Sequence, residues 1–272
     1  MKKYIKVDIH TPTPEAAELL MAELMSYEYY AFEQQENALI AYCQEEDFDE
    51  NILKQLLEPS VKYQIETIED KNWNEQWEKD FAPVVIGNFA AVRAQFHKPQ
   101  PDVKHDIVIT PKMSFGTGHH ATTYLMIATM EQINFENKSV LDFGCGTGVL
   151  AILAAKLGAQ AVRAIDNDEW SINNMAENVQ ANDTLNISFD KKNSLLQEDP
   201  ADILLANINL NVLKENASAI QKRVNKGGFL LVSGFLNTDE KEMEEVFMRK
   251  GFVRKSMGRR DNWSAILFSK TG

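Results

Sequence analysis

Short apolar blocks alternate with amphipathic stretches of helical period in the second half of the chain. The predicted strands include Val140–Phe143, Ala161–Asp166 and Asp202–Asn207, and the predicted helices include Val149–Gly158 and Glu169–Asn182. This order predicts β-α-β units, which form a parallel sheet with helices on its faces. Near the end, residues 258–262 predict a hairpin turn before a last strand, Trp263–Ser269.

The first 69 residues show a different order. Alternating apolar and polar positions predict strands over Lys3–His10, Tyr29–Gln34, Ala38–Cys43 and Val61–Ile68, and helical spacing predicts helices over Pro14–Ser26 and Asp49–Leu57. The resulting order, β-α-β-β-α-β, is typical of a small ferredoxin-like α+β domain. Many unrelated domains share this fold, so it predicts no chemistry.

An aromatic stripe separates the two regions. Trp73, Trp77 and Phe81 recur every four residues, which places them on one face of a helix. We therefore predict a ferredoxin-like domain over residues 1–69, a linker helix over 70–82 and a second domain over 83–272.

The first candidate for chemistry is the glycine loop between the strand Val140–Phe143 and the helix that follows it. Glycine falls at every second position, at Gly144, Gly146 and Gly148, so the backbone can approach a ligand closely. Asp166 follows Gly148 by 18 residues and ends the next strand. An acid there is suited to ribose hydroxyls, which predicts a nucleoside-bearing cofactor.

The spacing of this loop favours one cofactor over another. A dinucleotide site uses G-x-G-x-x-G and places a pyrophosphate at the helix N-terminus. Here the spacing is G-x-G-x-G, and Asp142 precedes the first glycine by two residues. Its carboxylate would repel a pyrophosphate but attract the cationic end of S-adenosylmethionine. The loop resembles the first motif of class I S-adenosylmethionine-dependent methyltransferases; an NAD-dependent oxidoreductase and a glycine turn without a ligand are the alternatives.

A second glycine-rich loop, residues 111–123, precedes the first strand of the predicted sheet. From it we expect apolar cover of the cofactor from Phe115 and hydrogen bonds from Thr117 and Thr123. The neighbouring His119 and His120 cannot both face one site on a helix, and no Cys or acid cluster accompanies them, so we predict no metal site. Asn207 ends the fourth predicted strand, at the switch point where ligands bind.

Charge and composition restrict the partners. The 272 residues are 44% hydrophobic and carry a net charge of −12, and residues 1–70 hold 5 Lys/Arg against 16 Asp/Glu. Such an acidic region disfavours a nucleic-acid backbone and favours a basic partner, although solubility alone also explains it. No apolar run is long enough for a membrane span, and two cysteines make no disulfide framework, so we expect a cytoplasmic protein.

Several motifs together resemble one family, the ribosomal protein L11 methyltransferases. They are the two-tryptophan linker, Phe115-Gly116-Thr117-Gly118 with His120 and Thr122-Thr123, Asp142-Phe143-Gly144-Cys145-Gly146, Ile165-Asp166 and Ala206-Asn207-Ile208. The resemblance implies a Rossmann-like seven-stranded methyltransferase sheet beside the small N-terminal domain, which would recognise the ribosomal protein. It implies S-adenosylmethionine as cofactor, methylation of lysine side chains and an N-terminal amine, and cofactor contacts from Thr123, Gly144, Asp166 and Asn207. The chain departs from the family pattern at His119, Ala121 and Asn209-Leu210.

The chemistry of methyl transfer adds a role for Asn207. The attacking amine must be neutral and aligned with the S–CH3 bond, and its proton can leave to water. The amide oxygen of Asn207 can accept an N–H of this amine, so we predict that Asn207 is catalytic as well as a cofactor contact, with Gly146, Phe115 and Thr117 as further contacts. A methyltransferase acting on an amine of another protein or of nucleic acid, and a non-enzymatic adaptor, remain alternatives. We expect a monomer without a direct nucleic-acid site.

Overall fold

The computed structural model describes residues 3–29, 31–35, 37–69, 82–111, 116 and 118–271. Two compact units make up the chain, Met1–Phe81 and Ala82–Gly272. Of the predicted linker helix over residues 70–82, only Ala82 lies within the described residues. Phe115 and Thr117 also lie outside them.

The described part of the first unit is a four-stranded antiparallel sheet with two α-helices. Its elements are β1 (Lys3–His10), α1 (Pro14–Leu24), β2 (Ala31–Gln35), β3 (Ala38–Gln44), α2 (Glu50–Leu56) and β4 (Tyr63–Glu69), and the strand order is β2-β3-β1-β4. Ile5, Val7 and Ile9 alternate along β1 and are all buried in the core of the unit. This arrangement confirms the predicted ferredoxin-like domain.

The second unit begins with a small sheet and one helix: β5 (Val84–Ile86), β6 (Ala90–Arg93), β7 (His105–Val108) and α3 (Ala121–Met130). The main sheet and its helices follow as β8 (Ser139–Phe143), α4 (Val149–Lys156), β9 (Ala161–Asp166), α5 (Glu169–Ala181), β10 (Ile187–Lys191), β11 (Ala201–Asn207), α6 (Leu210–Arg223), β12 (Val224–Leu236), α7 (Glu240–Met248), β13 (Phe252–Arg260) and β14 (Trp263–Lys270).

The main sheet has seven strands in the order β10-β9-β8-β11-β12-β14-β13. Strands β8 to β12 are mutually parallel, and β14 is antiparallel to both of its neighbours. The chain moves outward from β8 to β10 and then returns to place β11 on the other side of β8, which creates the predicted switch point. The predicted Rossmann-like fold is therefore confirmed.

Two details differ from the sequence prediction. The last hairpin is tighter than expected, since β13 continues to Arg260 and only Asp261 and Asn262 form the turn, with Asp261 at φ 55°. The polar residues of β13 show no alternation with apolar ones, so the sequence does not mark them as a strand. Pairing with β14 nevertheless continues the strand through them. Strand β5 was not predicted, because three residues are too few for a periodic pattern.

Candidate functional site

The glycine loop joins the end of β8 to the start of α4. Gly144, Gly146 and Gly148 have φ values of +77°, +53° and +80°, a region that side chains with a Cβ rarely adopt. A Cβ on Gly144 would also lie 2.3 Å from the Cγ2 atom of Ile208. Glycine is therefore required at this position both for the turn and for the close approach of the loop after β11.

A cavity of about 430 Å³ lies at the carboxyl edge of the parallel strands, beside this loop. Five residues predicted from the sequence line it together: Thr123, Gly144, Gly146, Asp166 and Asn207. Further lining residues, for which no cofactor contact was predicted, are Gly116, Phe143, Cys145, Val149, Leu150, Asn167, Asp168, Ser171, Lys192, Asn193, Ile208, Asn209 and Val212. Sequence spacing alone does not bring them together, because they lie at or after the ends of five different strands, β7 to β11.

Asp166 is held in place by backbone amides. Its Oδ2 atom accepts a hydrogen bond from the N–H of Gly146 at 2.9 Å, and its Oδ1 atom accepts one from the N–H of Asp168 at 3.0 Å. These bonds hold the carboxylate of Asp166 next to the glycine loop. Each carboxylate oxygen has a second acceptor position, so both remain able to accept ligand hydroxyls.

A second acid lies buried at the end of β8. Asp142 is 1% exposed, and neither carboxylate oxygen has a hydrogen-bond partner among the described residues. Burial, together with the nearby charge of Asp166, raises the pKa of Asp142 to about 7. The N–H of Ala151 opposes this rise in pKa, although its contact falls short of normal hydrogen-bond geometry. An added cation in the cavity would stabilise the ionised carboxylate.

Asn207 ends β11 with its amide in a defined orientation. Its Nδ2 atom donates to the Oγ1 atom of Thr123 at 3.4 Å, and Thr123 is fully buried on α3. The Oδ1 atom of Asn207 is buried without a partner among the described residues. Because a buried acceptor without a partner is costly, this oxygen is a candidate for contact with a ligand N–H.

An asparagine ladder on α5, which we did not predict to be functional, supports the site. Asn178 accepts from the N–H of Thr110 at 2.8 Å and donates to the carbonyl of Thr147 at 2.8 Å. Thr147 in turn donates from Oγ1 to the carbonyl of Gly116 at 2.7 Å. The spacing of Asn174, Asn178 and Asn182 was visible in the sequence as one polar row on an amphipathic helix.

The two histidines have separate contacts. The Nε2 atom of His119 lies 2.8 Å from the carbonyl oxygen of Ala82. His120 caps α3 through the N–H of Thr122, and its ring packs edge-on against Trp263 with centroids 4.8 Å apart. In the part of the chain that the structure describes, no three His, Cys, Asp or Glu side chains form a group that could hold a metal ion.

Comparison with known proteins finds one family over nearly the whole chain. Residues 6–271 match the family model described as ribosomal protein L11 methyltransferase (PrmA). A protein of that name from Porphyromonas gingivalis is 42% identical over 263 residues, covering 93% of this chain and 91% of the relative. Another from Bacteroides thetaiotaomicron is 36% identical, covering 98% of this chain and 99% of the relative.

A solved structure adds agreement at the level of the fold. The crystal structure of ribosomal protein L11 methylase from Lactobacillus delbrueckii subsp. bulgaricus aligns with a TM-score of 0.65 at 25% identity, covering 70% of this chain and 99% of that one. The matching family model and these relatives extend over nearly the whole sequence, including every described residue of the cavity. The chain belongs to the ribosomal protein L11 methyltransferase family.

Proposed function

We propose that this protein transfers methyl groups from S-adenosylmethionine to lysine side chains and an N-terminal amine of ribosomal protein L11. The observation that carries the proposal is the side chain of Asn207, which lines the cavity and whose buried Oδ1 atom has no hydrogen-bond partner among the described residues. An amine nucleophile offers the N–H that this oxygen lacks. Family membership supports the choice of L11 as substrate.

The residues of the cavity fit S-adenosylmethionine. When bound, this cofactor supplies an electrophilic methyl group on a positively charged sulfur. Asp166 at the end of β9 would hold the ribose, and the glycine loop would receive the amino-acid end. The buried carboxyl group of Asp142 favours a cationic ligand and disfavours the pyrophosphate of a dinucleotide. This charge preference makes an NAD-dependent oxidoreductase the poorer alternative.

The role of Asn207 in this proposal is to orient the acceptor nitrogen. A lysine with pKa near 10.4 must lose its proton, at a cost of about 4–5 kcal/mol at pH 7. Partial desolvation beside a cation lowers this cost, and the proton leaves to water. The titratable residues that line the described cavity are Asp166, Asp168, Cys145 and Lys192. We assign none of them as a base, and alignment by Asn207 is the main contribution of the protein.

The rest of the proposal concerns partners and setting. The acidic first unit would recognise the basic ribosomal protein by charge. Cys43 and Cys145 are both free and buried, in agreement with a reducing cytoplasm. No helix among the described residues is long and apolar enough to cross a membrane. We further propose that the enzyme acts as a monomer.

The direct test uses labelled cofactor. The protein is incubated with methyl-labelled S-adenosylmethionine and dissociated ribosomal components, and the labelled species are identified by mass spectrometry. Label on amines of protein L11 is the expected result. Label confined to ribosomal RNA, or to no component, would contradict the proposal.

A variant tests the role of Asn207. We expect Asn207→Ala to lower kcat at saturating cofactor by roughly 100-fold, because loss of a positioning contact of this kind removes about 2.7 kcal/mol of transition-state stabilisation. The affinity of the variant for the cofactor, measured by calorimetry, tests separately whether Asn207 contacts the cofactor. Normal turnover by this variant would exclude the orienting role.

A further inference from the structure

A second cavity lies on the same edge of the main sheet. We call it the Trp263 groove; it encloses about 370 Å³ and is lined by Asn209, Leu210, Asn211, Gly234, Phe235, Leu236, Asp239 and Trp263. These residues come from the start of α6 and the turn before it, the end of β12, the turn after β12 and the start of β14. Since β14 runs antiparallel to β12, its first residues reach the edge where the parallel strands end.

The groove adjoins the cofactor cavity on one side. Asn209 lines both, whereas a third cavity, over the end of β10, shares Asn167, Lys192 and Asn193 with the cofactor cavity. Strand order therefore places the Trp263 groove and the β10 cavity at opposite ends of the cofactor cavity. Asp166, the proposed ribose contact, ends β9, which neighbours β10, whereas Asn207 ends β11, which neighbours β12 on the Trp263 side.

The linings of the two flanking cavities differ in charge. The β10 cavity contains Lys191 and Lys192. In the Trp263 groove, none of the described lining residues is basic, and Asp239 contributes a carboxylate. Lys191 pairs with Glu169, and Lys192 pairs with Asp190 and Glu198, so the positive charge at the β10 end is already neutralised. At the Trp263 end, the carboxylate of Asp239 attracts a positively charged segment.

The groove also offers apolar surface for a long side chain. Leu236 and Trp263 lie directly opposite each other in the β12–β14 register, so their side chains share one face of the sheet. Leu236 is 40% exposed. An indole face beside a carboxylate suits the aliphatic stem and ammonium group of lysine.

Neighbouring contacts hold these groups in position. The ring of His120, at the start of α3, packs edge-on against Trp263. The Oδ2 atom of Asp239 accepts a hydrogen bond from the N–H of Leu236 at 3.1 Å. Asn209 accepts from the N–H of Val212 at 3.0 Å and caps α6. The walls of the groove are thus ordered before any ligand arrives, which lowers the entropic cost of binding.

We propose that the Trp263 groove binds a lysine-bearing segment of the protein substrate and guides it toward Asn207. The inference rests on the proposed function, since it identifies where that function's substrate docks. Trp263 contacts the aliphatic part of the segment, and Asp239 attracts its positive charge.

The test measures methylation of purified ribosomal protein L11 by the full-length enzyme, with L11 varied at saturating cofactor. The variants are Trp263→Leu, Trp263→Phe and Asp239→Asn. The last of these removes the charge of Asp239 but keeps a side-chain oxygen that can accept from the N–H of Leu236. Asp199→Asn is the matched control, because Asp199 is exposed and precedes β11 at the opposite edge of the sheet. Cofactor affinity of each variant is measured by calorimetry.

We expect Trp263→Leu to raise KM for L11 about tenfold, equivalent to 1.4 kcal/mol, with a smaller rise for Trp263→Phe. Asp239→Asn should raise KM severalfold at low salt and less at high salt. Cofactor affinity and kcat should stay near wild type, and Asp199→Asn should change neither KM nor kcat. Unchanged KM in the Trp263 and Asp239 variants, or a matching loss of cofactor affinity, would overturn the inference. Absence of transfer by the wild-type enzyme would instead overturn the proposed function.

Discussion

At the scale of single residues, the hydroxyl of Thr123 fixes the orientation of the Asn207 amide. This hydroxyl accepts from Nδ2 of Asn207, and Oδ1 has no hydrogen-bond partner among the described residues. We expect Thr123→Val to lower kcat about tenfold, or 1.4 kcal/mol, because the amide loses its fixed orientation. Thr123→Ser keeps the hydroxyl and should retain most of the activity. Equal kcat values for the two variants in steady-state assays would contradict this role.

The buried carboxyl group of Asp142 predicts how the stability of the protein depends on pH. Its pKa is about 7 in the folded protein, compared with 3.8 for the ordinary side chain. Between these values the folded state binds the extra proton, so this residue makes stability fall as pH rises from about 4 to 7. Asp142→Asn removes that dependence, so its stability advantage over wild type should grow from less than about 1 kcal/mol at pH 4 to about 4 kcal/mol at pH 7.

Urea unfolding of both proteins at several pH values between 5 and 8 measures this difference. The advantage of the Asn variant should grow with pH and become constant above the folded-state pKa. A difference that does not vary with pH would show that Asp142 ionises normally in the folded protein.

Residues at strand ends were the most predictable part of the site. Asp166 and Asn207 follow from the rule that parallel strands end at one edge, and the glycines follow from their spacing. The sequence did not predict that the carboxylate of Asp142 lacks hydrogen-bond partners. That property depends on which donors the surrounding loops bring near it in the folded protein. Asn193 was missed because its loop contains no glycine and its strand ends in a lysine, so neither signal used elsewhere marks it.

At the scale of elements, helix α5 supports the site through its asparagine row. Asn178 is fully buried and bonds to the backbone of Thr110 and Thr147. Asn178→Leu would leave both backbone groups without partners, and we expect a loss of about 2–4 kcal/mol in the free energy of unfolding.

Thermal unfolding provides the measurement, with an expected decrease in Tm of roughly 5–12 °C. Asn173→Leu on the exposed face of the same helix is the matched control and should change Tm little. Equal Tm values for the two variants would mean that the ladder contributes nothing to stability.

Among the elements, long periodic helices and buried strands were predicted well. Strand β12 extends over Val224–Leu236 and is longer than the apolar block Phe229–Ser233. Its two ends become part of the strand because they pair with β11 and β14. Such pairing depends on neighbours that are distant in sequence. Local periodicity contains no information about them.

At the scale of the whole molecule, charge is distributed unevenly. Residues 1–70 hold 5 Lys/Arg and 16 Asp/Glu, and the rest of the chain is nearly balanced. If the first unit attracts a basic ribosomal protein, KM for L11 should rise severalfold when ionic strength increases from about 0.05 to 0.5 M.

Methylation kinetics at several salt concentrations measure this effect, with cofactor affinity at each concentration as the control. The cofactor cavity is partly enclosed, so its affinity should depend less on salt than KM does. A KM for L11 that is insensitive to salt would argue against recognition by charge.

Ile208 packs against two glycines that are distant in sequence, Gly144 and Gly234, and these contacts have a consequence for enzyme engineering. A Cβ on Gly144 would lie 2.3 Å from its side chain, and a Cβ on Gly234 would lie 2.1 Å from its carbonyl oxygen. Gly144 lines the cofactor cavity and Gly234 lines the Trp263 groove, so Ile208 packs against one glycine from each. A library intended to change the transferred alkyl group or the acceptor should therefore randomise position 208 and leave both glycines intact.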